Sequence, residues 1–140
     1  MSDIVSLKSL LVPSKTAEVE FPGFDGFKLN LTFLSRETLV NIRKKATKTT
    51  FKNRQAVEDL DDKLFLKLYV AAAIKGWSGF KFKYLVELAP TEINPEDYEK
   101  ELPFSEENAL ALMESSSSFD SFVTDTVSDL SSFTKNSTSK

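Results

Sequence analysis

A chain of 140 residues with 41% hydrophobic residues and twelve phenylalanines can fill one modest core, and its net charge of −3 does not suit a general polyanion binder. It has no cysteine and no histidine, which excludes disulfides, cysteine or histidine metal sites, the commonest general base and the most reactive nucleophile. The four glycines, at positions 23, 26, 76 and 79, form neither a GxxxxGKS/T nor a GxGxxG phosphate loop, so no cofactor is expected.

In chain order, residues 1–14 read as a flexible lead-in closed by Pro13, without the basic start and long apolar run of a secretory signal. Ala17 to Phe21 and Phe27 to Phe33 alternate apolar and polar residues around Pro22-Gly-Phe-Asp-Gly26, which predicts a β-hairpin over 17–33. Two strands alone are marginal in water, so this hairpin must pack on helices or gain a partner strand. Ser35 is a natural N-cap for a helix over 36–47, with Leu39, Ile42 and Ala46 on one side. Thr49, Thr50 and Asn53 then favour a break, because their short polar side chains compete for the backbone.

The strongest helix signal covers 60–75. Asp59, Asp61 and Asp62 stand where the macrodipole favours negative charge, Lys75 stands at the far end, and Gly76 suits the position after it. This stretch is apolar nearly all round and is expected to be the buried centre of the domain. Its most apolar run, Tyr69 to Ile74, is far short of the roughly 20 residues that span a bilayer, and no membrane partner is expected. Trp77-Ser-Gly-Phe80 reads as a turn carrying two aromatics. Residues 81–88 suit a strand or a helix, and Pro90 and Pro95 mark an acidic loop behind them.

Ser105, Glu106 and Glu107 open a helix over 105–115. Ser115 to Ser118 interrupt it as a capping loop, or as a hinge. Phe119, Phe122, Val123, Val127, Leu130 and Phe133 then make an apolar stripe on a final helix over 118–133, ahead of a disordered tail at 135–140. The expected fold is α+β, mainly α: an N-terminal β-hairpin followed by a small helical bundle, in a single globular domain over 15–134.

The charges are segregated. From Thr38 to Val57 there are six bases, Arg43, Lys44, Lys45, Lys48, Lys52 and Arg54, and no acid. From Glu87 to Asp129 there are twelve acids and one base, Lys100. Either these are solvated faces that attract each other within the fold, or the basic stretch (Arg43, Lys44, Lys48, Lys52) is a docking surface for another protein or another copy. Nucleic acid is not expected, since only Phe51 interleaves with the bases and the rest of the chain is acidic. Were the serine segment a hinge, the stripe from Phe119 to Phe133 could leave the domain and grip an apolar helix elsewhere. The acids Glu58, Asp59, Asp61 and Asp62 read as helix-start charge rather than as a metal site, and nothing singles out a catalytic pair. These readings point to a protein that holds other proteins rather than to an enzyme.

One ordered set of motifs stands out: Ile74-Lys-Gly-Trp77-Ser-Gly79, an acidic spacer, Leu102-Pro-Phe-Ser-Glu-Glu-Asn108, Ala-Leu-Ala-Leu-Met113, and Phe119 onward to Phe133. This order resembles the lambda-type tail assembly chaperones of long-tailed bacteriophages, over roughly the second half of the chain, with a long insert between Gly79 and Pro103 as the departure. The resemblance implies a protein of the infected host's cytoplasm, absent from the mature virion. It would bind and solubilise the tape measure protein and help recruit tail tube subunits, and many such proteins are made in two lengths by translational frameshifting. The alternatives are a structural tail or virion protein that polymerises through its hairpin edge, and a small cytosolic adaptor unrelated to phage.

Overall fold

The computed structural model describes residues 6–10 and 15–134. Of the lead-in, Leu7–Leu10 form a single helical turn, α1; its other residues, apart from Ser6, and the 135–140 tail lie outside the described part. The N-terminal hairpin forms as its alternation predicts. Strands β1 (Thr16–Glu20) and β2 (Lys28–Thr32) pair antiparallel with Val19 opposite Leu29. Leu29 and Leu31 point into the core, while Lys28 and Asn30 on the other face are exposed.

The hairpin gains a third strand where the sequence suggested the end of a helix. Helix α3 spans Asp62–Ala73, not 60–75, and Ile74–Ser78 continues as strand β5, antiparallel to β2. The sheet order is therefore β1-β2-β5, with β2 in the middle. Helical continuation through Ile74 loses to this pairing because β2 would otherwise leave a row of backbone groups open on its buried side. The register slips between Asn30 and Leu31, where Lys75 is the unpaired residue of a bulge. Gly76 is a sheet residue opposite Asn30 rather than a helix cap, and Trp77 sits on a strand opposite Leu29 rather than in a turn.

A second hairpin replaces the expected break after helix α2 (Arg36–Ala46), whose N-cap Ser35 accepts a hydrogen bond from the Thr38 amide at 3.2 Å. Strands β3 (Thr47–Lys52) and β4 (Gln55–Leu60) pair from Thr47–Leu60 to Lys52–Gln55. The two residues between them, Asn53 and Arg54, have φ of 51° and 66°, the backbone of a two-residue turn whose twist matches its strands. Threonines at 47, 49 and 50 with Phe51 thus act through their β preference rather than as breakers. Asp59 lies on β4, while Asp61 caps α3 by accepting from the Leu64 amide at 3.1 Å.

Helix α3 is less enclosed than its composition implies: Tyr69, Val70 and Ala73 are buried, while Leu64, Phe65, Leu66 and Leu68 are half-buried. It packs on α2, on α5 (Glu106–Ser115) and on strands β2 and β5 of the sheet. The segment after Gly79 resolves as helix α4 (Phe82–Leu88) and a short 3-10 turn at Pro95–Asp97. The acidic loop folds back onto the start of α4: Phe82 N donates to Lys100 O at 2.8 Å and Leu102 N to Phe80 O at 2.8 Å.

Ser116 alone separates α5 from α6 (Ser117–Val127). It is buried, and its hydroxyl accepts from the Phe119 amide at 3.1 Å. Ser116 is thus a buried cap rather than a slack joint. We expect Ser116→Ala to cost about 1–2 kcal/mol, as loss of a good N-cap does, and Ser117→Ala and Ser118→Ala to be near neutral; urea denaturation of the three variants measures this. The final helix breaks in two. Val127 O accepts from Leu34 N at 3.0 Å, and Asp129 restarts the chain by accepting from the Ser131 amide at 3.0 Å, giving α7 (Ser131–Thr134) in place of a continuous helix to 133.

Candidate functional site

Two regions carry the residues marked from sequence, and the fold treats them in opposite ways. The apolar stripe is consumed by the core. Phe119 and Val123 are fully buried, Val127 and Phe133 nearly so, and Phe122 is half-buried; Leu130 alone is exposed, at 49%. Phe119 stacks at 6.2 Å from Phe21 and meets Trp77 edge-on at 6.3 Å, while Phe133 packs edge-on against Phe33. A partner reaches this stripe only if α6 and α7 leave the sheet.

The basic residues lie on an exposed surface instead. Arg43 and Lys44 occupy the last turn of α2, where cations suit the negative helix end, and Lys48 and Lys52 follow on β3. The β3–β4 hairpin forms an arm: only Thr47, Val57 and Leu60 are even half-buried. Its root is tied to α2 by Asp61 N donating to Ala46 O at 2.8 Å. Between α2 and the arm is a cleft of about 350 Å³ lined by Val40, Arg43, Lys44, Thr47, Thr49 and Glu58. Cross-strand pairing places Thr47, Thr49, Phe51, Ala56 and Glu58 on one face of the arm, so the face that lines the cleft continues beyond it to Phe51.

Phe51 is 77% exposed, the most exposed aromatic among those described. In the sequence it is only a lone aromatic among bases. The signal that identifies it is the Thr-Phe-Lys run against an Asn-Arg turn, which places a phenylalanine next to a hairpin tip with no core to enter. Among the described residues, Lys48 pairs with Asp61 at 3.8 Å on the surface, and none of Arg43, Lys44, Lys45, Lys52 and Arg54 joins a salt bridge. Most of the bases of α2 and the arm thus stand without an ion-pair partner, although β4 of the arm also carries Glu58 and Asp59.

Elsewhere the charges serve the scaffold. Hydrogen bonds from Lys81 and then Lys83 hold the Glu99 carboxyl below the usual carboxylate range, and the same contact raises Lys81. Burial pushes the Tyr69 hydroxyl up, and Asp120 and Asp125 add to this against the opposing Thr124 hydrogen bond. No group of three or more acidic side chains fit to hold a metal ion occurs among the described residues, where Glu58, Asp59, Asp61 and Asp62 are divided between β4 and the start of α3. None of the described helices is long and apolar enough to cross a membrane.

The motif set from the second half of the chain converges on Trp77. Its indole N–H donates to Leu102 O at 2.9 Å, and its ring meets Phe104 edge-on at 5.1 Å and Phe80 edge-on at 5.2 Å. Ser105 then caps α5 by accepting from the Asn108 amide at 3.0 Å, while the Asn108 side chain donates to Pro103 O at 3.0 Å. The Trp77 segment and the Leu102–Asn108 segment, 25 residues apart along the chain at their hydrogen bond, are one joint in space.

Comparison with characterised proteins and with solved structures gives no match. Residues 34–140 match the family described as YdaY prophage protein. That match begins just before α2 and takes in the arm, α3, the Trp77 joint and every later element. The chain belongs to the YdaY prophage protein family and is phage-derived.

Proposed function

We propose that this phage-derived protein is a tail assembly chaperone, which binds and solubilises the tape measure protein in the host cytoplasm and helps bring tail tube subunits to it. The observation that carries this reading is the joint at Trp77. The pieces on which the resemblance to tail assembly chaperones rests are not scattered capped-helix signals but one packed unit, closed by the Trp77–Leu102 hydrogen bond and the Trp77–Phe104 contact. Membership of a prophage family agrees with it. The role is one of binding rather than catalysis, since the sequence holds neither histidine nor cysteine. A holdase needs apolar surface for its client and charge to stay soluble, and the arm combines Phe51 with unpaired bases.

Co-expression with the tape measure protein of the same phage is the direct trial. The client should become soluble and co-purify with this chain. A client that stays insoluble, with nothing co-purifying, rejects the proposal. Mass spectrometry of purified particles checks the second half: stoichiometric presence in the virion would assign the chain to the tail structure instead.

A further inference from the structure

We propose that copies of this chain associate head to tail, with the β3–β4 arm of one copy seated on the exposed face of α5 in the next. This does not depend on which client the protein holds. The arm is half of the argument. It projects Phe51, 77% exposed, next to a tip that carries Lys52 and Arg54, and neither base has an ion-pair partner among the described residues. An exposed phenylalanine on a two-stranded arm gains nothing within the fold, and the bases around it keep the free arm soluble.

The other half is on α5. Glu106, Glu107, Leu110 and Glu114 follow helical spacing and share one face, on which the three carboxylates are exposed and Leu110 is half-buried. None of these carboxylates takes part in a salt bridge among the described residues. A groove of about 300 Å³ between this face and α3 has Val70 and Leu110 as its apolar floor, Glu106 and Glu107 on one wall and Lys67 on the other. The two surfaces are complementary in kind: an apolar knob next to a basic tip, with Glu58 as the acid on the knob's own face, and an apolar groove edged mainly by acids. Lys67 reduces the negative edge without reversing it.

The segregation of charge along the chain gives the pairing its direction. Bases collect between Thr38 and Val57 and acids between Glu87 and Asp129, which favours the arm of one copy on α5 of another over arm-to-arm or α5-to-α5 contact. Such a contact is heterologous: a pair joined by it keeps one free arm and one free groove, so assembly grows with concentration rather than stopping at a dimer.

Sedimentation velocity of the full chain over a concentration series tests this. At about 0.1 M salt the mean mass should rise with concentration, and at about 1 M, where the screening length falls from about 10 Å to about 3 Å, it should return toward the monomer. Phe51→Ser and the double variant Glu106→Gln/Glu107→Gln should each weaken association about tenfold or more. Because all three positions are exposed, circular dichroism should show both variants folded. Mixing the two restores one intact arm and one intact groove, so a 1:1 complex should form. A wild-type chain that stays monomeric overturns the proposal. So does a glutamine double variant that self-associates as well as wild type, which would mean arm-to-arm contact. A duplex DNA that binds the arm of an otherwise monomeric chain would assign the bases to nucleic acid instead.

Discussion

Trp77→Ala should unfold this protein about 10 °C earlier than wild type. The indole is only half-buried, but it is the piece that holds three elements together: edge-on contacts to Phe80, Phe104 and Phe119 at 5.2, 5.1 and 6.3 Å, and a hydrogen bond to Leu102 O. Large aromatic truncations in cores cost about 3–5 kcal/mol, and partial exposure puts this one near about 3. In a chain of this size that corresponds to a melting shift of about 10 °C. Trp77→Phe separates the two contributions. It retains most of the ring contacts and loses the N–H, so it should cost about 1 kcal/mol, the usual net value of one hydrogen bond. Thermal denaturation followed by circular dichroism measures both. An unchanged melting temperature for Trp77→Ala, together with lost client binding, would show that the indole serves a partner and not the joint.

The elements that could be read from sequence are those whose local signal agrees with their tertiary setting. The first hairpin alternates because one face of β2 is buried and the other is wet. The helix starts at Ser35 and Ser105 were legible because a capping hydroxyl acts on an amide three residues away, which is information held in the chain itself. Misreadings arose where a distant partner decided the outcome. Ile74 to Ser78 has no strong strand pattern of its own and becomes a strand because β2 offers an open edge. The apolar run at Leu64 to Leu68 suggests a fully enclosed helix, yet Leu64, Phe65, Leu66 and Leu68 are only half-buried where α3 packs on its neighbours. The split between α6 and α7 likewise follows from Leu34, far away in the chain, taking the Val127 carbonyl.

The candidate site divides in the same way. The bases of α2 and β3 could be marked from their charge alone, and the fold leaves them in solvent. The stripe from Phe119 to Phe133 was marked from its periodicity, but an amphipathic helix looks the same whether its apolar face meets a partner or its own core. Here the face is covered by β2 and the N-terminal aromatics. Phe51 was the reverse case. The Thr-Phe-Lys run before Asn53-Arg54 marks a hairpin tip, but the exposure of Phe51 depends on the arm having no layer packed over it.

Gly79→Ala should be nearly as damaging as loss of the indole, for a backbone reason. Gly79 has φ of +71°, and a Cβ built there would lie 2.0 Å from Gly26 O and 2.8 Å from Gly26 C. The obstacle is main chain, and it cannot swing aside: the next residue, Phe27, is fully buried and stacks on Phe80 at 4.2 Å. Two costs therefore combine, about 1–2 kcal/mol for a left-handed alanine and about 1–3 kcal/mol for displacing packed neighbours. Gly23→Ala is the matched control, since Gly23 has φ of +86° with nothing within 4 Å of the added carbon, so it carries the conformational cost alone. Urea denaturation should therefore rank wild type above Gly23→Ala and Gly23→Ala above Gly79→Ala, with the lower gap of about 1–3 kcal/mol measuring the contact with Gly26. Equal stability of the two variants would show that the β5–hairpin approach is looser than the 2.0 Å separation requires. Gly79 would then matter only for its backbone angle.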